Sequence, residues 1–260
     1  MFAKLTTKIA LRKAGIPSSA LDFPNYESKP LAKDPNVPSA YANPFANLSV
    51  PKSWQSWATP PPPPVEVASP PVWGTRAPNS TRLRLPGPDG RPTVMVFLRH
   101  TGCPCKLLLI GILGICPTNF VSVTEKTFLE LRRLANKYPS VHFIAISHSS
   151  KSATDKWVSA LGGAWAITVM VDAEREIYAD WGLGISNTWH LLSPAVQMAA
   201  RKLGNEEGNW GREVDPSGNR WQTGGSWATD KMGTVRWGGP NKSAADIPDL
   251  VEACKAVGAY

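Results

Sequence analysis

Thr93-Val-Met-Val-Phe-Leu-Arg-His-Thr-Gly-Cys103-Pro104 is the stretch on which the reading of this chain turns. Val94 to Leu98 is an unbroken apolar run that reads as a buried strand. It ends in a turn presenting one cysteine, followed at once by a proline. Downstream, Glu125 to Lys137 spaces Phe128, Leu131, Leu134 and Ala135 along one helical face, and Val141 to Ile146 is a second apolar strand. Strand, cysteine turn, helix and parallel strand predict a β-α-β unit of α/β class, with the thiol beside a helix start, where reactive thiols sit.

The rest of the C-terminal part continues that alternation. Ser122 and Glu125 have capping-box spacing before the first helix. A short helix is expected over Ala153–Leu161, carrying Trp157 and stopping at Gly162-Gly163. Ile167 to Val171 reads as a third strand, and Asp172 as the cap of a helix running to Trp181 and ending at Gly182. Ser193-Pro194 opens another helix, closed by Gly204. Ser226–Asp230 and Thr234–Trp237, joined through Lys231-Met232-Gly233, predict a hairpin, and Pro248–Val257 a last helix before Gly258.

The N-terminal part has a different composition. Residues 1–14 place Phe2, Leu5 and Ile9 on one face among Lys4, Lys8, Arg12 and Lys13, with no acidic residue before Asp22. That is a basic amphipathic segment, either a surface helix or a mitochondrial transit peptide. Residues 15–90 read as a Pro-rich, largely disordered linker, because 18 of the chain's 25 prolines fall between 15 and 92 and proline removes donors and fixes φ. Within it, Trp54, Trp57 and Trp73 are candidates to pack back on the domain at 91–258.

Charge and cysteine content exclude several function classes. The chain's +8 sits mostly in residues 1–92, with 11 Lys/Arg against 5 Asp/Glu, while the remaining 168 residues carry 17 against 15. The domain has no basic cluster, so nucleic acid is not an expected partner despite eleven tryptophans. Four cysteines, three of them between 103 and 116, are too few for a disulfide scaffold of this length. No signal peptide and no membrane-spanning run is read, and an intracellular location, cytoplasmic or mitochondrial, is expected.

Three stretches carry a family resemblance. Val94–Pro104 resembles the strand and peroxidatic loop of the peroxiredoxins of the alkyl hydroperoxide reductase/thiol-specific antioxidant (AhpC/TSA) group. Val171-Asp-Ala-Glu-Arg-Glu-Ile-Tyr178-Ala-Asp-Trp181-Gly182 is similar to that family's aspartate, helix and glycine, and Trp227–Trp237 to its closing hairpin. The likeness covers about residues 90–257 and is nearest to the peroxiredoxin-like antioxidant proteins of fungi. It implies a thioredoxin-like three-layer fold, a central mixed sheet flanked by helices. It also implies a thiol-dependent antioxidant or oxidoreductase, a candidate thiol peroxidase, that reduces peroxides through Cys103 without a cofactor. An external thiol such as thioredoxin or glutathione would restore the enzyme. The rival reading is a catalytically inactive thioredoxin-fold binding or scaffold protein.

The chain departs from the family pattern at defined places. Val96 and His100 stand where the family has Pro and Thr, with Thr101 displaced by one. Residues 105–124 separate the Cys-Pro from the helix; they carry one charge and read as a translated intron rather than an evolved loop.

Peroxide attack needs a thiolate, which a helix N-terminus and a nearby cation favour. Cys103 and Arg99 are therefore candidate catalytic residues, and the resemblance adds Thr101, the displaced threonine, to the set. Cys105 is too close in sequence to resolve a sulfenic acid comfortably, which leaves Cys254 as the internal candidate resolver. His100, His148, Trp181 and His190 are candidate pocket residues, each weighed against ordinary core packing, as is Trp189. A zinc site of His100, Cys103, Cys105 and Cys116 is disfavoured because its Cys-x-Cys spacing is tight, and no metal is expected.

Overall fold

Strand β1, Thr93–Phe97, is buried at all five positions and lies at the centre of a five-stranded sheet. The structure is a computed structural model that describes residues 65–87, 89–100, 120–186, 198, 217–219 and 221–259. After β1 come helix α1 (Phe120–Lys137), β2 (His142–Ser147), α2 (Lys151–Ala160) and β3 (Ile167–Val171). They are followed by α3 (Glu176–Asp180), β4 (Gly225–Thr229), β5 (Val235–Pro240) and α4 (Leu250–Ala256). The sheet order is β3-β2-β1-β4-β5. β1 pairs parallel with β2, and β2 with β3; β4 runs antiparallel to both β1 and β5. Parallel strands on one side of β1 and an antiparallel hairpin on the other make the expected thioredoxin-like mixed sheet.

The two-residue period of the strands sorts their side chains between two cores. Val94, Val96, Phe143 and Ala145 face α1, α2 and α4, where they meet Phe128, Leu131, Leu134, Trp157, Leu250 and Ala253. Met95, Phe97, Ile144, Ile146 and Trp227 face the other way, onto Ile177, Tyr178 and Trp181. Both faces of β1 are thus covered, which is why its sequence is a continuous apolar run rather than an alternation.

Several boundaries differ from those expected. Helix α1 begins at Phe120, not Glu125, so Ser122 and Glu125 lie inside it rather than at its start, and residues 120–124 belong to the helix rather than to a separate insertion. Val123, Thr124 and Glu125 are buried, and the Thr127 hydroxyl donates to the Val123 carbonyl one turn back. Packing of this turn overrides the weak helix propensity of β-branched residues. Helix α2 starts at Lys151 because Ser150 caps it, its hydroxyl oxygen accepting from the Ala153 N–H at 3.2 Å.

Asp172 does not stand at the N-cap of α3; Arg175 does, in a left-handed conformation with φ 63°. The Asp172 carboxylate accepts instead from the Tyr178 N–H at 3.1 Å. Gly182 follows α3 with φ 75°, and a Cβ there would lie 2.5 Å from the Pro70 nitrogen, so only glycine fits. The expected helix from Ser193 to Gly204 falls outside the described residues, apart from Met198, which is helical. Residues 1–14, Trp54 and Trp57 also fall outside them.

The end of the proline-rich stretch is part of the fold. Residues 65–87 form no named strand or helix, yet Ala77, Leu83 and Leu85 are buried against Val235 and the α3 core. The segment docks through its backbone: Ala68 N–H donates to Ala179, Gly74 N–H to Val235, and Ala77 N–H to Gly233. The Trp227 indole N–H donates to the Pro71 carbonyl at 3.1 Å. Arg82 pairs with Asp172 at 2.9 Å and also donates to the Val171 carbonyl. Trp73, expected to pack back, is instead exposed.

A chain beginning at residue 65 is therefore expected to unfold in urea at a clearly higher midpoint than one beginning at residue 91. Leu83 and Leu85 alone contribute about 1.5–3 kcal/mol each through burial. Coincident midpoints would show that the segment adds nothing to the domain.

Candidate functional site

Beyond the last pair of the β1–β2 ladder, the chain is held at the C-terminal edge of the parallel strands. Leu98 N–H donates to the Ile146 carbonyl at 2.8 Å. The Tyr178 hydroxyl, reaching up from α3, lies 2.7 Å from both the Leu98 and the Ile146 carbonyls. One hydroxyl proton is shared between two strand ends, so Tyr178 fastens the exits of β1 and β2 together. Burial, followed by the charge of Asp172, raises the phenol well above its usual range, and it stays protonated.

His148 leaves the end of β2 and is 3% exposed. Its Nε2 lies 2.6 Å from the Arg99 carbonyl, and its Nδ1 accepts from the Asn219 N–H at 3.3 Å. Its ring stands edge-on to Tyr178 with centroids 5.4 Å apart, and His100 is 5.9 Å away. Burial pushes the imidazole down to about 4, against a hydrogen bond to Arg99 that raises it, and the cations Arg175 and Arg99 lower it further. Arg99 and His100 are themselves buried, at 5% and 3% exposure. Arg175 and Arg99 thus both act on one neutral imidazole, while Asp172 and Glu174 act in turn on Arg175.

The neighbouring hydroxyls extend the network. Ser147 and Thr154 bond side chain to side chain at 3.0 Å, and Ser149 N–H donates to Ser147 Oγ at 3.2 Å. Ser149 Oγ donates to the Ser217 carbonyl at 3.4 Å, and Ser150 N–H to Ser217 Oγ at 3.3 Å. Gly218, with φ 85°, crosses the imidazole so closely that a Cβ would lie 2.8 Å from Ser149 Oγ and 3.0 Å from His148 Cε1.

On the α1 side of the same strand end is a cavity of about 20 Å³, lined by Arg99, Thr124, Thr127, Ser226, Asn241 and Asp246 among others. It has room for about one water. The buried Ser226 hydroxyl beside it has no protein hydrogen-bond partner among the described residues.

The structure brings Arg99, His100 and His148 together. Trp181 is not a pocket wall: it is 1% exposed and packs in the aromatic core at 5.5 Å from Phe97 and 5.1 Å from Trp227. Cys254 is a core residue of α4, packed with the cluster that includes Phe128, Leu131 and Leu134 of α1. Burial, then Glu130, pushes its thiol up to about 11, so it remains protonated and covered, the reverse of what a resolving thiol needs. Thr101, Cys103, Cys105, Cys116, Trp189 and His190 lie outside the described residues. Among the described residues no three His, Cys, Asp or Glu side chains gather as a metal site.

Tyr178, Arg175 and Asn219 were not singled out from the sequence for this site. Tyr178 sits at a core-facing helical position, and its role depends on carbonyls 80 and 32 residues away. A buried tyrosine needing a partner for its hydroxyl was the available signal. Asn219 acts through its backbone, which no side-chain pattern reveals.

The acid stability of the fold should carry the signature of His148. An unfolded imidazole titrates near 6.5 and the folded one at about 4, so the unfolded chain takes the proton first. Its contribution is complete above pH 6.5 and falls by about 3 kcal/mol as the pH drops to 4. Urea titrations across that window should show a shallower loss in His148→Phe than in the parent. Parallel slopes would contradict the assignment.

Comparison with known proteins gives one family match. Residues 130–243 match the family described as AhpC/TSA antioxidant enzyme. The match begins within α1, beyond Cys103. Among solved structures, a thiol peroxidase from Chromobacterium violaceum aligns at 14% identity with a TM-score of 0.41, covering 74% of this chain and 89% of that one. No curated protein matches. Among the described residues, no helix is long and apolar enough to cross a membrane. Residues 130–243 are thus similar to the AhpC/TSA antioxidant family, and the sheet has the thioredoxin-like order.

Proposed function

We propose that the protein is a peroxiredoxin-like thiol antioxidant in which the Cys103 thiolate attacks a peroxide oxygen. The sulfur–oxygen bond forms as the O–O bond breaks; the cysteine becomes a sulfenic acid and the leaving oxygen departs, after protonation, as water or an alcohol. The observation that carries this reading is the pair of buried cations, Arg99 and Arg175, that act on neutral His148 at the exit of the strand leading in sequence to Cys103. The AhpC/TSA match over residues 130–243 supports it. Since Cys254 is buried and protonated, an external thiol such as thioredoxin or glutathione serves as reductant: it displaces the sulfenic oxygen as water, and a second thiol then releases the mixed disulfide.

The rival reading, a thioredoxin-fold binding protein without catalysis, gains weight from the family match beginning after Cys103. Trapping with a dimedone-type reagent and peptide mass spectrometry separates the two. Peroxide-dependent label is expected at Cys103 and absent in Cys103→Ser. Running the same assay on a chain lacking 105–119, which keeps all of α1, tests the apolar stretch. Label only in the shortened chain would mean that the stretch blocks an otherwise competent site. Label in neither form would leave the binding-protein reading. Cys254→Ala should leave labelling intact while lowering stability by about 1–2 kcal/mol.

A further inference from the structure

The geometry points to His148 as a positioning residue that sets the exit of β1, and with it the approach of the chain to Cys103, by holding the Arg99 carbonyl and the Asn219 N–H on opposite nitrogens of one neutral ring. This rests on Cys103 being the reactive thiol. The tautomer follows from the partners. A backbone N–H points at Nδ1, which must offer a lone pair, so the ring proton is on Nε2 and is donated to the Arg99 carbonyl at 2.6 Å. The other tautomer would place a lone pair against a carbonyl and a proton against an N–H.

Three segments that share no regular pairing meet at this ring. Arg99 follows β1, His148 follows β2, and residues 217–219 run on towards β4. Gly218 brings the third segment into contact with the imidazole edge, and the Ser149 and Ser150 bonds to Ser217 keep it there. Tyr178 packs against the ring and fixes the neighbouring carbonyl of Leu98. The β1 exit is therefore pinned at two successive carbonyls, by Tyr178 at Leu98 and by His148 at Arg99, four residues before Cys103. The groups that act on the ring's charge are Arg99 and Arg175; His100 and Tyr178 pack beside it, with Asp172 behind Tyr178. An imidazole kept neutral chiefly by burial holds the backbone without adding to the charge of Arg99 and Arg175.

Two variants separate positioning from filling space. Phenylalanine keeps an aromatic ring but loses both hydrogen bonds. Glutamine can donate to the Arg99 carbonyl and accept from the Asn219 N–H, yet does not titrate. In the full chain, native-state hydrogen exchange at the Asn219 amide reads the clasp itself, and the pH midpoint of Cys103 alkylation by iodoacetamide reads the thiol.

His148→Phe is expected to speed exchange at Asn219 by about tenfold, the effect of losing one buried hydrogen bond, and to move the Cys103 midpoint towards that of free cysteine. His148→Gln should restore both. Unchanged exchange in His148→Phe overturns the clasp. Faster exchange with an unmoved Cys103 midpoint makes His148 a structural residue only and overturns positioning. A parental Cys103 that already titrates like free cysteine sinks the thiol-peroxidase reading, and the positioning claim falls with it.

Discussion

A strand with both faces covered and both edges paired has no freedom to slip, and β1 is such a strand. Its register is fixed twice, against β2 and against β4. A shift of one residue would exchange Val94 and Val96 for Met95 and Phe97 across two differently shaped cores. Everything at the candidate site is measured from the end of this strand. Leu98 and Arg99 stay buried beyond the last paired residue because side chains from α3 and from the end of β2 bond their carbonyls. Carbonyls at a strand end that met no donor would cost more than the packing there returns.

The segment at 65–87 acts on the same site from below. Arg82 holds the buried Asp172, and Asp172 holds the backbone of Tyr178, whose hydroxyl reaches the two strand ends. Desolvation raises Asp172 above the usual carboxylate range, with the Tyr178 N–H and Arg82 opposing it. A chain of three polar contacts therefore links an irregular proline-rich stretch to the edge where Arg99 and His148 meet. Breaking a buried link of this kind leaves a charge without its partner, which costs more than the pair contributes when intact.

Much of this was legible in the sequence. The continuous apolar run of β1, the core face of α1 at Phe128, Leu131, Leu134 and Ala135, the hairpin of β4 and β5, and His148 after β2 all follow from period and position. What was not legible depends on tertiary contact. The start of α1, Phe-Val-Ser-Val-Thr, has poor helix propensity, and the burial of Val123 and Thr124 outweighs it. Arg175 adopts a left-handed conformation that nothing local demands, so it and not Asp172 stands at the cap of α3. The docking of 65–87 runs through main-chain groups, which composition cannot show. Cys254 looked available for chemistry only because helical position says nothing of depth; in the fold it packs against the face of α1.

The central claim is that the environment at the exit of β1 makes Cys103 react with peroxide as an ordinary thiol does not. Stopped-flow mixing of the fully reduced chain with hydrogen peroxide under single-turnover conditions, followed by tryptophan fluorescence and calibrated by thiol titration, measures this directly. The account predicts a second-order rate constant far above that of free cysteine at the same pH, lost in Cys103→Ser and retained in Cys254→Ala. A rate equal to that of free cysteine would contradict it.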